Sequence, residues 1–226
     1  MSSSLINFVF IIGLTFLLSL ISQLLKLLEN RISSLKGISR YSYLVWFTGI
    51  LVFGFLRGDE FNLSLPIYSA NIGLVEIVIM LAIIRLFAIY SEYTIHSSIK
   101  PFIIFTIVFP IGEEILFRGI VQSLILNNQY WGIEKMVVPG FGNIQIAVFI
   151  SAFCFGITHV QYNDFKVNRK TVKQVLFAFV FGLYAGKMVV RTESILYPLL
   201  LHSFANLSVQ LYGLSKNKSQ VKLIGD

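Results

Sequence analysis

Residues 101–126 read PFIIFTIVFPIGEEILFRGIVQSLIL. The stretch is long enough to cross a bilayer as one helix, for which about 20 apolar residues suffice. Yet Glu113, Glu114 and Arg118 sit in its middle. Apolar sequence runs on both sides, Pro101–Gly112 before and Gly119–Leu126 after, which argues against a helix end whose charges snorkel to the interface. Charge inside a span is costly and marks function by default. Adjacent glutamates point about 100° apart on a helix, so they cannot serve one partner from the same side. Glu114 and Arg118, four residues apart, share a face, and an ion pair there would keep both charged and hold Glu114 rigid. Glu113 is then aimed elsewhere, as a general base would be.

Outward from this segment the apolar runs repeat. Six further candidates for a spanning helix are Leu5–Leu28, Tyr41–Leu56, Asn71–Tyr90, Ile144–Val160, Thr171–Val190 and Ser194–Tyr212. Together they predict an all-α polytopic membrane helix bundle of about seven transmembrane helices. Tyr41–Leu56 is short. Phe61–Ala70 after it contains Pro66 and reads as interfacial or as part of a broken span, which leaves an eighth crossing as the alternative. Pro198 is tolerated in a first helical turn. Leu5–Leu28 has no Lys or Arg before it and no small-residue cleavage site after it, so it reads as a retained anchor, not a signal peptide. The expected organisation is 1–100 with about three N-terminal spans, 101–212 with the polar groups, and 213–226 as a polar, solvated cytoplasmic tail.

Composition agrees. Of 226 residues, 56% are hydrophobic and 13% charged, against about 25% charged in soluble domains. A disordered chain, a disulfide scaffold and an ordinary cytosolic enzyme are excluded. The single cysteine, Cys154, makes no internal disulfide and no thiolate metal site. The net charge of +7 would suggest nucleic acid in a soluble protein. Here the basic residues flank apolar runs and face anionic lipid, so the expected partner is the bilayer and no nucleic acid. Lys26, Arg31, Lys36 and Arg40, then Lys166, Arg169, Lys170 and Lys173, then Lys216, Lys218 and Lys222 alternate with poorer loops. That pattern places the N-terminus outside and the C-terminus in the cytoplasm of a multi-pass cell-membrane protein.

The remaining intramembrane polar groups cluster in the second half. Phe155 and His159, and again His202 and Asn206, are spaced four apart, so each pair shares a face. A carboxamide and an imidazole can donate to a developing oxyanion, ligate metal, or hold helices together. Glu76 and Arg85 read as partners of other helices or as interfacial groups, His96 as surface, and Cys154 as a small buried residue. Gly182 and Gly186 form a small-xxx-small pair for close helix packing. Two histidines and two glutamates in adjoining spans can hold and deprotonate a water, with or without a divalent metal, and peptide-bond hydrolysis at the membrane is the natural chemistry. No G-x-S-x-G, H-E-x-x-H or phosphate-binding glycine loop competes.

E-E-x-x-x-R at Glu113–Arg118, F-x-x-x-H at Phe155–His159 and H-x-x-x-N at His202–Asn206, in that order, resemble the CAAX protease and bacteriocin-processing (Abi) family, which includes the type II CAAX prenyl endopeptidases. The resemblance covers about Pro101–Tyr212 and implies CAAX-protease-like catalytic helices in an intramembrane endopeptidase acting on a membrane-associated or lipidated protein or peptide. It implies that Glu113 with His159 activates water, that His202 and Asn206 stabilise the oxyanion, that Glu114 and Arg118 hold the site, and that Phe155 shapes the pocket. Both a metalloprotease and a metal-free glutamate mechanism are argued for the family. The cofactor it allows is one divalent metal such as zinc, with Glu113, His159 and His202 as candidate ligands. Bacterial members are linked to peptide or pheromone maturation and to bacteriocin self-immunity. Many carry glycine where this chain has Glu193. The site is expected to open toward the cytoplasm. The competing readings are a non-catalytic membrane scaffold or immunity factor, and a proton-coupled transporter, against which the crowding of polar groups in one half counts.

Overall fold

The computed structural model describes residues 3–56, 65–66, 74–127 and 135–224. Its helices follow the apolar runs, with two departures that have local causes.

The first run does not form one helix. It gives α1 (Ser3–Thr15) and α2 (Leu17–Arg31), and the axis turns by 70° between them. A side chain inserted into the hydrogen-bond ladder explains the turn. In an unbroken helix the Thr15 carbonyl would accept from the Ser19 N–H. Instead Ser19 N–H donates to Gln161 Oε1 at 3.0 Å, Gln161 Nε2 donates to the Thr15 carbonyl at 3.4 Å, and the Thr158 hydroxyl donates to that carbonyl at 2.8 Å.

Two 3₁₀ turns, Ser33–Leu35 and Ile38–Tyr41, lead into α3 (Ser42–Leu56); α4 (Leu74–Tyr90) follows. The Phe61–Ala70 segment, and the eighth crossing with it, lies outside the described residues apart from Leu65 and Pro66.

The segment read first is helical across residues 99–127, as α5 (Ile99–Ile103), a π segment (Ile104–Val108), α6 (Phe109–Glu114), a second π segment (Ile115–Val121) and α7 (Gln122–Asn127). A π turn takes carbonyls out of the regular i→i−4 ladder, and neighbouring side chains collect them. Asn206 Nδ2 donates to the Phe105 carbonyl at 2.8 Å, and the Ser151 hydroxyl to the Phe117 carbonyl at 2.6 Å.

A hairpin that the spans do not announce, β1 (Lys135–Val138) against β2 (Gly142–Gln145), is antiparallel with Lys135 opposite Gln145. Four-residue strands are too short for alternation to stand out. Then come α8 (Ile146–Gln161), α9 (Arg169–Thr192) and α10 (Leu196–Ile224). Asn168 caps α9, its Oδ1 accepting from Thr171 N–H at 3.0 Å. The close approach expected of Gly182 and Gly186 is present. A Cβ on Gly182 would stand 2.9 Å from the Ala152 backbone, and one on Gly186 2.8 Å from Val148. At the far end of α9, Glu193 adopts the left-handed conformation (φ 51°), the place where a helix favours glycine. Past Gly213 the backbone stays helical to Ile224. Gly213 itself accommodates Ile95, whose Cδ1 would lie 2.2 Å from an added Cβ.

By length and apolarity alone, Ile38–Leu56 and Arg169–Thr192 can cross a membrane among the described residues, and the bent α1–α2 pair makes three if it is one span. The expected runs are largely helical, the first as two helices and the fourth as five segments, and the count of seven crossings is not confirmed. The α8 helix has 16 residues and α4 has 17, and residues 99–127 are divided by their π turns and carry Glu113, Glu114 and Arg118. Glu76 pairs with Arg191 across α4 and α9, and Arg85 stacks over Tyr212 at 5.5 Å, so both act as structural partners of other helices. At the opposite end of α9, Lys173 pairs with Glu92. That ammonium holds the Glu92 carboxyl below its usual range, chiefly by hydrogen bonding to it.

Candidate active site

The short α6 helix ends on Glu113 and Glu114, and the π segment after it carries Arg118. All three are buried. Gly112 is what lets this turn sit so deep, since a Cβ there would lie 2.5 Å from the Trp46 ring of α3.

The two glutamates meet the same histidine from its two ends. His202 Nδ1 lies 2.8 Å from Glu114 Oε1, and its Nε2 lies 3.6 Å from Glu113 Oε2. An ionised carboxylate only accepts, so Nδ1–H donates to Glu114 and fixes the ring with Nε2 toward Glu113. Arg118 Nη1 forms an ion pair with the same Glu114 oxygen at 3.1 Å, without the alignment of a hydrogen bond. The Arg118 guanidinium lies over Phe155, 4.1 Å from the ring centroid, a cation–π contact. The edges of His159 and His202 approach the same ring at 5.2 and 5.5 Å between centroids. Phe155 is thus a shared platform for the arginine and both histidines.

Glu113 has a second partner absent from the sequence motifs. The Tyr162 hydroxyl donates to its Oε1 at 2.6 Å. His159 is not hydrogen-bonded to Glu113. Its Nδ1 is 3.0 Å from the Phe155 carbonyl, an acceptor, so Nδ1 bears hydrogen and the neutral ring keeps a lone pair at Nε2. Glu113 and His159 line one cavity without a hydrogen bond between them. Asn206 commits one of its two amide N–H donors to Phe105 and retains the other.

That cavity has a volume of about 320 Å³. Glu113, His159, His202, Asn206 and Phe155 line it together with Tyr162. Glu114 and Arg118 lie behind the wall. His96, expected as surface, also lines it, and its backbone N–H donates to Gln210 Oε1 at 2.7 Å. Tyr162 could have been suspected, because it follows His159 by one helical turn; nothing in the local pattern around His96 pointed inward. Cys154 is buried and free, as expected.

The candidate metal ligands do not assemble. Among the described residues no group of three or more His, Cys, Asp or Glu side chains is arranged to hold a metal ion. One ring nitrogen of His202 faces Glu114 and the other Glu113, while His159 Nδ1 is held by the Phe155 carbonyl and not by either glutamate. A ligand set needs three side chains converging on one open position, and these three do not.

The helical bundle brings acid and histidine side chains to the wall of one cavity, and the class of protein comes from the comparison with known families. The family model described as "Type II CAAX prenyl endopeptidase Rce1-like" matches residues 95–208. That is half of the chain, and the chain belongs to this family: it is a CAAX-type intramembrane protease. No curated protein and no solved structure matches it.

Proposed function

We propose that the chain hydrolyses a peptide bond of a membrane-associated or lipidated protein, with Glu113 as general base. The observation that carries this reading is the setting of the Glu113 carboxylate. It is held between the Tyr162 hydroxyl and the His202 imidazole in the wall of a cavity that also receives His159 and Asn206.

In the proposed reaction a water hydrogen-bonded to Glu113 and to His159 Nε2 gives its proton to Glu113 and attacks the scissile carbonyl carbon. The carbonyl oxygen becomes an oxyanion. It receives the uncommitted Asn206 N–H and, when the ring carries its second proton, the His202 Nε2–H. Collapse breaks the C–N bond, and Glu113 returns the proton to the leaving amine. Glu114 and Arg118 act one layer back by fixing His202 and Phe155. No step is routed through a metal, because the candidate ligands do not converge. The cationic loop at the start of α9 supports a cavity open toward the cytoplasm.

The test is cleavage of lipidated peptides by the purified full-length protein, by Glu113→Gln and by His159→Ala, each with and without a chelator. Glu113→Gln is expected to lower kcat by at least about a thousandfold, within the range of general-base and electrostatic losses, with its circular dichroism unchanged and wild-type activity indifferent to chelation. Full activity in Glu113→Gln would sink the assignment. Activity abolished by chelation and restored by zinc would replace the glutamate mechanism with a metal one.

A further inference from the structure

The cavity has one feature that the chemistry above does not use. Along α9, Lys170, Gln174, Phe177, Ala178 and Phe181 line it as a single stripe, at the spacing of one helical face. Phe181 touches the reaction centre, its ring centroid 5.1 Å from that of His202. Lys170 stands at the other end, eleven residues away, or about 16 Å at helical rise. Among the described residues lining the cavity, Lys170 is the one lysine or arginine and Glu113 the one acid. Lys170 is half-buried. Glu92 pairs with Lys173, and Lys170 adds only a weaker, longer-range attraction to that carboxyl. The walls between the two ends are largely aromatic and aliphatic, with Phe87, Phe105, Phe109 and Ala205 among them.

A cavity with its negative group at one end and its positive group at the other orients whatever enters it. An anion on the substrate is repelled from Glu113 and attracted to Lys170. We propose that Lys170 forms an anion-binding subsite that takes a substrate carboxylate on the chain leading away from the scissile bond. The length of the stripe sets the reach. At about 3.3 Å per extended residue, the carboxylate lies no more than about five residues from the bond cleaved. Lysine suits this role as a compact charge on a flexible stem, and Gln174, which spends one amide N–H on the Ser91 carbonyl, keeps the other for the peptide backbone. Lys170 is a specificity residue and takes no part in bond breaking, so it governs KM and not kcat.

This inference rests on the protease reading and names part of its substrate, so its test separates the two. One lipidated fluorogenic peptide is made in three forms: with a C-terminal carboxylate, with a C-terminal carboxamide, and with a carboxamide following a terminal Glu. Wild type, Lys170→Met, Lys170→Arg and the distant control Lys135→Met are compared in detergent as full-length protein. Wild type is expected to show a KM about tenfold lower for the carboxylate than for the carboxamide, the scale of one charge-assisted hydrogen bond. Lys170→Met should erase that difference with kcat unchanged, Lys170→Arg should retain most of it, and Lys135→Met all of it. If the Glu-carboxamide peptide regains the low KM, a side chain is an accepted source of the carboxylate; if it does not, the chain terminus is the source. Equal KM for carboxylate and carboxamide in wild type, or an equal effect of Lys170→Met on both, overturns the subsite and leaves the protease reading intact. Should wild type cleave none of the peptides, binding decides. A carboxylate peptide whose Kd weakens about tenfold between Glu113→Gln and Glu113→Gln/Lys170→Met, while the carboxamide does not change, upholds the subsite without the protease reading. Unchanged binding overturns both.

Discussion

The α3 helix and the second π segment are equally apolar to the eye, and the fold treats them in opposite ways. Of α3, Trp46, Ile50 and Gly54 are buried, a single stripe at i, i+4 and i+8, while Phe55 and Leu56 are largely exposed. Of Ile115–Val121, every residue is buried. The first is a helix with one protein-facing edge whose remaining faces are left to lipid. The second is surrounded on all sides and can therefore hold Arg118 with no exposure at all. The difference shows how the membrane sheath and the reactive centre divide the chain. The N-terminal helices contribute walls, including Phe87 of the cavity, and the family match begins only at residue 95.

Removing the buried cation tests this division most severely. Arg118→Met leaves Glu114 buried without its ion partner, a change that costs about 3–5 kcal/mol in comparable settings. It should lower the thermal unfolding midpoint sharply and reduce cleavage with it. An equivalent charge removal at the exposed Glu76–Arg191 pair is expected to cost less than about 1 kcal/mol. Equal losses at the two pairs would erase the distinction between centre and sheath.

The seam between the regions is tested at Gly112. Gly112→Ala drives a methyl into Trp46 and is expected to cost about 1–3 kcal/mol as overpacking. Because Glu113 is the next residue, kcat should fall as well. Trp46→Leu in the same chain should recover part of both losses, a coupling that a double-mutant cycle measures. Additive effects would mean that the sheath does not support the site through this contact.

The smallest effect is expected at Glu193. Its left-handed backbone costs about 1 kcal/mol in a residue with a Cβ, so Glu193→Gly should raise the unfolding midpoint slightly and leave kcat and KM unchanged. A drop in stability would show that the Glu193 side chain outweighs its backbone strain.

Much of the arrangement was legible from residue spacing. The i, i+4 pairs Glu114–Arg118, Phe155–His159 and His202–Asn206 each occupy one helical face, and the structure brings all three faces together. The glycines of α9 meet α8 as their spacing requires. What spacing could not supply was partners from other elements. Both glutamates on one histidine, Tyr162 on Glu113 and His96 in the cavity wall depend on how helices distant in sequence abut. The π turns depend likewise on Asn206 and Ser151 collecting carbonyls from across the bundle. The bend after Thr15 belongs to the same group, since residues 5–28 alone contain no proline and look like an uninterrupted span.

That bend also has a consequence in time. Synthesis proceeds from the N-terminus, and Gln161 lies 142 positions beyond Ser19. While the early helices enter the bilayer, the Thr15 carbonyl and the Ser19 N–H have only each other. The first apolar run then lacks the side chains that hold its bend. It folds over into α1 and α2 only when α8 arrives with Thr158 and Gln161, the residues flanking His159 and Tyr162. The bend between α1 and α2 thus depends on a helix made much later in the chain, whose Thr158 and Gln161 flank His159.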